Sequence, residues 1–583
     1  MNQEKPNSFH KEPTISACMI VKNEEKLLAQ CLDSIKDIMD EIIIVDTGST
    51  DNTIEIAKRY TDKIYFHEWK NSFSEARNHS IKYAQCDWIL IIDADEKLEQ
   101  EDKRLLKVVL RDDRFNSIYF AILSDLPTGV SKHYSQRVFR NGKGYYDGIV
   151  HNQLICEGAS VMTDIRIYHY GYNLNSEQMQ KKFKRTETLL KKQVQENPNY
   201  IFGWMNLVRI YKCQELWDDA LKTAEDVINT KREIIDDTTY QMIVYDMIYS
   251  IFSKKDYDRA EKLCAEILES YPNNLDINFL RGSINICKNN YQKAIRNYMQ
   301  YLRISEEGLG LSEYPNIIVD TFSSQGQAWN NIGSAYAEIS QPDKAIDAYK
   351  KAISYKNDPM YYENLARIYF KQNMIKEMTT TLEEADSLNI ATNIMLLQLS
   401  EIYSKQKDFD KAINYLQRVV DIEPSKPENL IKIAHLFMLK NEHEKAKSIF
   451  EDVFNLGIRN HEILHNLAII NTRLNLKDKT DQYIEEIMKT DDIDSKQYLA
   501  MANDWINLNE FEKAIIFYEK CLQNDPNDLS ALTNLSTCYA QLGKYESAIA
   551  GYRAVLAKNP DDPIVIENLI AMSKAIETQH SNL

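Results

Sequence analysis

The feature that most constrains this chain is a period. Alanines in a recurring charged run stand at Ala412, Ala446, Ala514 and Ala548, 34 residues apart within each pair, and Thr480 sits halfway between Ala446 and Ala514. Ala260 and Ala294 are also 34 apart, as are Pro526 and Pro560. The stretch holding them has no strand pattern. A period of this length then means helix pairs, each too small to bury its apolar face alone and stable only against its neighbours. Small residues at the repeated position let paired helices approach closely. About nine to ten such units are expected from Pro198 onward, with an irregular joint over Ile304–Thr321 around Gly308 and Gly310. A tail of this kind is a helical solenoid.

The amino-terminal part reads differently. Trp88-Ile89-Leu90-Ile91-Ile92 runs straight into Asp93-Ala94-Asp95-Glu96. An apolar run without polar alternation is a strand buried on both faces of a parallel sheet. Ligands of such sheets sit beyond the carboxyl ends of the strands. Asp93 and Asp95 are therefore expected at a cleft, where two hard oxygen ligands suit a divalent cation that keeps positions open for phosphate oxygens. Strands are predicted at Thr14–Val21, Glu41–Asp46, Lys63–His67 and Trp88–Ile92, alternating with helices that end near Lys36, Tyr60 and Tyr83. That alternation implies βαβ units whose right-handed crossovers bring Val21, Asp46 and Asp93 to one edge. From Ser117 the pattern changes to short strands at Ser117–Leu123, Tyr134–Arg140 and Arg166–His169, punctuated by glycines. A long helix, Ser176 to Gln195, then leads out.

Composition narrows the function. A formal net charge of −17 argues against a nucleic-acid partner, which needs clustered Lys and Arg. No apolar run approaches the ~18 residues that span a bilayer. The leader Met1–Glu12 is polar, so no secretory signal is expected. Nine cysteines without Cys-x-x-Cys pairs fit reduced thiols in a cytoplasmic protein.

The 34-residue units carry the tetratricopeptide signature. Four further stretches, Met19–Glu24, Val45–Asp51, Ala76-Arg77-Asn78 and Asp93–Glu96, in this order and spacing, resemble the bacterial family-2 glycosyltransferases of the GT-A fold, an α/β Rossmann-like class. Arg137-x-Phe139-Arg140, Gly148-x-Val150-His151 and His169-x-Gly171-Tyr172-Asn173 are similar to the sublancin-type peptide S-glycosyltransferases, which also carry a helical-repeat tail. The expected organisation is a polar leader at 1–13, a GT-A domain at 14–175, a linking helix at 176–197 and a tetratricopeptide solenoid at 198–583. The resemblance implies that Asp46 meets the uracil ring of a UDP-sugar, with Val21, Asn23 and Glu24 lining the base pocket and Ser49 in the neighbouring turn. It implies Arg77 and Asn78 beside the nucleotide, Asp93 at the ribose, Ala94 in the same nucleotide site, and Asp95 holding Mn²⁺ or Mg²⁺ on the diphosphate, with His169 a further candidate metal ligand. Blander roles stand beside these. Asp46 is equally suited to capping the next helix, Arg77 to pairing with Glu75, and His151 or His169 to a place in the core.

The catalytic base departs from the relatives, which follow Val-His with Glu where this chain has Asn152. An amide cannot abstract a proton, so Asp147 and then His151 are the remaining candidates. A thiol with pKa ~8.5 tolerates a weak base better than a hydroxyl does. The two halves together imply inverting transfer of a hexose or N-acetylhexosamine from a UDP-sugar onto Cys or Ser/Thr of a peptide or protein held in the repeat groove. A bacteriocin precursor and a surface protein such as flagellin are candidate acceptors. Two other readings stay open: a cell-envelope transferase acting on a saccharide or lipid with the solenoid serving homodimerisation, and a non-catalytic repeat scaffold with a degenerate transferase domain.

Overall fold

A computed structural model describes residues 12–126, 129–148, 153–170, 176–311, 313–314, 317–490 and 492–581. The chain forms two compact units, Met1–Thr381 and Leu382–Leu583. Each has its own core.

The first unit opens with strand β1 (Ile15–Val21), helix α1 (Leu28–Ile35), β2 (Glu41–Asp46), α2 (Thr53–Ala57), β3 (Ile64–Phe66), α3 (Phe73–Ile81) and β4 (Trp88–Ile91). These strands lie parallel in the order β3-β2-β1-β4, as the βαβ reading predicts. The uninterrupted apolar runs have a direct cause. Cys18, Ile43, Ile89 and Ile91 pack on one face of the sheet with Phe139 and Tyr146. Met19, Ile44, Leu90 and Ile92 pack on the other with Leu28, Leu32 and Leu106. With both faces covered, every side chain of β2 and β4, and all but Ile20 of β1, is buried.

Beyond β4 come β5 (Glu96–Leu98), α4 (Lys103–Val109), β6 (Ser117–Leu126), β7 (Gly129–Arg140), β8 (Gly144–Asp147), β9 (Gln153–Cys156) and β10 (Ser160–His169). The eight-stranded sheet continues from β4 through β7, β6 and β10 to β5, while β8 and β9 form a separate hairpin. β7 is antiparallel to both β4 and β6, so the sheet is parallel in its first half and mixed in its second. The strand at Glu96–Leu98, helix α4 and the β8–β9 hairpin do not show in the sequence. Each is short, and β5 exists because its backbone pairs with β10.

Helix α5 (Ser176–Glu196) leads into the repeats, which begin with the pair Ile201–Cys213 and Trp217–Lys231. Ten helical pairs follow one another among the described residues, closed by Pro563–Ser581. Ala260, Ala294, Ala412, Ala446, Ala514 and Ala548 are all fully buried, as the close-approach reading requires. Thr480 is buried too, and its hydroxyl bonds Leu476 O at 3.2 Å within its own helix. The turn chemistry repeats with the same period. Asn373, Lys407, Asn441, Asn475, Asn509 and Gly543, 34 residues apart in series, all take a left-handed backbone with φ between 58 and 73°. Asparagine tolerates that conformation best after glycine, and a single left-handed residue ends one helix so the next can fold back.

The irregular joint is used by the sheet. After the helix Tyr291–Glu307, Gly308 reverses the chain with φ 65°. Val319 then makes an antiparallel bridge to Lys132 on β7, with N···O distances of 3.1 and 3.3 Å. Lys132 already faces Leu123 of β6 on its other side, and β4 reaches only Val138. The joint therefore covers a stretch of β7 edge that would otherwise stay unpaired. Asp276 anchors it by accepting from the backbone N–H groups of Asp320 (3.0 Å) and Thr321 (2.8 Å).

Gly333 packs against the ring of Tyr349, and a Cβ there would lie 2.7 Å from two ring carbons. Alanine gains about 1 kcal/mol of helix propensity over glycine, but the tyrosine is buried and its hydroxyl is held by Ser334 at 3.1 Å. Gly333→Ala is expected to destabilise the first unit by about 1–3 kcal/mol in urea unfolding; a stabilised variant would mean that the packing there is loose.

Candidate active site

The carboxyl ends of β1, β2 and β4 open into a cleft of about 2130 Å³. Val21 stands opposite Asp46 in the β1–β2 ladder, and Ile92 donates its N–H to Cys18 O, so Asp93 to Glu96 emerge beside the end of β1. Three acids in four residues at a buried strand end need compensation, because an unpaired buried charge is costly. Arg77 of α3 supplies the first part: one Nη sits 2.6 and 2.7 Å from the two Asp93 oxygens. Its guanidinium also lies over the Tyr146 ring, 5.3 Å from the centroid. Arg137 supplies the second, 2.6 Å from Glu96 and 3.7 Å from Asp93.

Arg137 reaches this position through a bulge in β7. Val138 pairs with Ile118 and Gln136 with Tyr119, leaving Arg137 as an extra residue between them. Bulges beside functional sites re-aim a side chain in this way. The electrostatic result is a split between two neighbouring acids. Burial opposes ionisation of Asp93, but Arg77 and Arg137 outweigh it and hold the carboxyl at about 2. Burial dominates at Glu96 and pushes it up to about 7 despite Arg137, with Asp93 adding to the rise.

Asp95 is left facing the cleft. Its Oδ2 lies 3.3 Å from His169 Nε2, while His169 Nδ1 lies 3.3 Å from the Ser124 hydroxyl. Burial works against protonation of His169, and the bond to Asp95 together with the surrounding carboxylates raises its pKa nevertheless. A carboxylate oxygen beside an imidazole whose other nitrogen is oriented by a hydroxyl is a donor set compatible with a divalent cation. No group of three or more His, Cys, Asp or Glu able to hold a metal occurs among the described residues.

The loops after β1 and β2 are laced together. Asn23 has φ 57°, donates its N–H to Ser49 Oγ at 3.0 Å and accepts from Thr50 N at 2.7 Å. Thr53 Oγ1 accepts from Glu24 N at 2.7 Å. Asp46 accepts from the N–H groups of Gly48 (3.1 Å) and Ser49 (3.0 Å), tying the turn that follows its own strand. Val21, Asn23, Glu24, Arg77, Asp93 and Ala94 line the cleft, with Asp95 and His169; Asp46, Ser49 and Asn78 are not among the described residues that do. Glu24 is pushed up to about 7 by burial and by the nearby Asp95 and Asp93.

The sequence relatives agree with this architecture. Residues 16–217 match the glycosyl transferase family 2 profile, and residues 326–358, 395–426 and 508–572 match tetratricopeptide-repeat profiles. The SPbeta prophage-derived glycosyltransferase SunS of Bacillus subtilis is 32% identical over 285 residues, 47% of this chain and 67% of that protein. The chain belongs to glycosyl transferase family 2. A glycosyltransferase of Rickettsia typhi is 43% identical over 89 residues, covering 15% of this chain and 30% of its own. A TPR repeat-containing protein of Synechococcus elongatus is 42% identical over 129 residues, 22% of this chain and 32% of its own.

Within this family-2 transferase, several residues expected at the nucleotide are engaged elsewhere. Asn78 donates to Tyr146 O at 2.7 Å and accepts from Tyr146 N at 2.8 Å, so both ends of its amide pin β8 to α3. Arg77 pairs with Asp93 and not with Glu75, whose partner is Lys70 at 2.9 Å. Asp147 is exposed at the end of β8, accepts from Gly148 N at 2.9 Å, and does not line the cleft. His151 and Asn152 lie outside the described residues. Arg137 and Glu96 were visible only as motif members; their pairing depends on the bulge. Lys182 and Arg185 of α5 also reach the cleft, and a lysine-rich helix carries no pattern that would single them out.

Replacing Arg77 with Met leaves the partly buried Asp93 with only Arg137, at 3.7 Å, as an arginine partner. The expected loss is about 3 kcal/mol in urea unfolding at pH 7. Asp93 has a depressed folded pKa, so in the wild type its contribution is present above ~4, the unfolded value, and lost as pH falls through about 2. The stability gap between the two proteins should therefore narrow below pH 4. A gap that stays constant from pH 7 to pH 2 would break the assignment.

Proposed function

We propose that this protein is an inverting transferase that moves a hexose or N-acetylhexosamine from a UDP-sugar onto Cys or Ser/Thr of a peptide or protein, with Mn²⁺ or Mg²⁺ as cofactor. The observation that carries this reading is the extent of the cleft. The space beside Asp93, Asp95 and His169 continues onto the inner face of the first repeats, where Phe202, Trp217, Tyr249 and Phe279 border it. A cavity of about 2130 Å³ exceeds what a nucleotide-sugar needs, since small-molecule pockets run to roughly 1,000 Å³. The remaining wall, aromatic and helical, suits an extended chain docked in a repeat groove. The resemblance to sublancin-type peptide S-glycosyltransferases supports the same acceptor class.

The residues divide the work. Asp93 is held ionised by Arg77, and a fixed carboxylate beside the nucleotide accepts hydrogen bonds from ribose hydroxyls. Asp95 and His169 would hold the cation, whose chemistry is to neutralise charge on the departing diphosphate. The loop lacing through Asn23, Ser49 and Asp46 gives the base pocket a rigid floor, so less ordering is needed on binding. Aromatic side chains along the repeats position the acceptor and exclude water. With a thiol acceptor, part of which is already thiolate near neutral pH, Asn152 in place of a carboxylate is tolerated. All nine cysteines of the chain are unpaired, in keeping with work in the cytoplasm, and no described helix is long and apolar enough to cross a membrane.

Mass spectrometry of candidate Cys- and Ser-containing peptides, incubated with a panel of UDP-sugars and Mn²⁺, tests the reading. Asp95→Ala and chelation by EDTA should each reduce transfer about 100-fold. Tyr249→Ala should raise the peptide KM about tenfold while leaving UDP-sugar hydrolysis intact, because its ring borders the acceptor end of the cleft. Failure of the wild type to bind any uridine nucleotide would end the donor assignment. Unchanged peptide kinetics in Tyr249→Ala would end the acceptor assignment alone.

A further inference from the structure

Helix α5 is more than a connector. Its Phe183, Leu190 and Val194 pack on Leu207, Ile210 and Tyr211 of the first repeat, which fixes how the helix is rotated. That rotation turns Lys181, Lys182, Arg185 and Thr186 into the cleft. Positions i, i+1, i+4 and i+5 share one helical face, so the four form a continuous stripe. Lys181 is engaged within the helix by Glu177 at 2.6 Å. Lys182 and Arg185 stand one turn apart, and Lys182 is half-buried, in the combined field of Asp95, Glu24 and Asp93.

The charges around them raise a specific problem. The cleft already holds Asp93, Asp95, Glu96 and Glu24, and the guanidinium groups of Arg77 and Arg137 are committed to Asp93 and Glu96. A diphosphate entering beside Asp95 brings further negative charge into the same space. Lys182 and Arg185 line the same cleft from α5, Lys182 within the field of Asp95, Glu24 and Asp93. Resting on the donor reading above, we propose that Lys182 and Arg185 clamp the diphosphate of the nucleotide-sugar and receive the charge that gathers on the departing nucleoside diphosphate. In the transfer step the bond between the anomeric carbon and the β-phosphate oxygen breaks and its electron pair stays on that oxygen. The acceptor sulfur or oxygen bonds the anomeric carbon, and its proton passes to bulk base. The clamp stabilises the leaving group's added charge and takes no part in the proton transfer. Burial pulls the Lys182 pKa below the usual lysine value although the carboxylates raise it, so an arriving polyanion would strengthen its charged form.

Calorimetric titration of the full-length protein with UDP and with UMP, at fixed Mg²⁺, separates this clamp from general nucleotide binding. The double variant Lys182→Ala/Arg185→Ala should lose about 30-fold in UDP affinity and no more than about threefold in UMP affinity. Lys184→Ala, on the same helix but exposed and outside the cleft, should bind both as the wild type does, and Lys182→Arg should keep most of the UDP affinity. If the double variant folds poorly by circular dichroism, the single Lys182→Ala and Lys182→Arg pair carries the comparison. Equal losses for UDP and UMP, or no loss, would overturn the clamp while leaving the donor reading standing. A wild type that binds neither nucleotide would overturn both.

Discussion

Everything at the cleft depends on compensating carboxylates that the chain buries wholly at Glu96 and partly at Asp93 and Asp95. Asp93, Asp95 and Glu96 follow one another at the end of a strand whose two faces are packed with apolar side chains, where water cannot solvate them fully. Arg77 comes from the helix before β4 and Arg137 from β7, the strand paired with β4 on the side away from β1. The bulge in β7 is what aims Arg137 at Glu96. With Asp93 and Glu96 paired, Asp95 keeps one face toward the cleft and one toward His169.

The solenoid is tied to that arrangement by a second set of buried charges. Asp246 is fully buried and contacts Lys212 at 2.5 Å and Arg209 at 3.2 Å, and Lys212 also reaches Asp320 at 3.0 Å. Burial opposes ionisation of Asp320, yet Lys212 and Arg209 hold it down to about 2, while burial and Asp320 together push Asp276 up to about 6. This cluster fastens the joint that covers the β7 edge. The irregular stretch between two regular repeats is thus where the transferase domain and the first repeats become one unit, and the shared cleft lies between them. A strictly periodic solenoid would have no segment free to pair with β7.

The strands carrying Val21, Asp46 and Asp93 were legible in the sequence because burial on both faces leaves unbroken apolar runs, and those runs survive in one dimension. The repeats were legible because a small residue at each close approach recurs every 34 positions. Hairpin β8–β9 and strand β5 were not, since three or four residues hold too little pattern to stand apart from a loop. The family resemblance puts Asn78 beside the nucleotide, yet its amide is spent on the backbone of Tyr146, a partner 68 residues away.

The two kinds of architecture, the direction in which the first strands run and the acids at their tips all follow from the local pattern of the chain. Local periodicity and strand polarity are properties of neighbouring residues, so they need no long-range information. Which charge meets which is settled by long-range packing: Arg77 with Asp93, Arg137 with Glu96, His169 with Asp95, and Lys182 in the field of Asp95, Glu24 and Asp93. Those pairings are set by a bulge, by the rotation of a helix on its packing face and by a joint that finds a free strand edge. Each is an outcome of packing between segments far apart in the chain, where no local pattern records it.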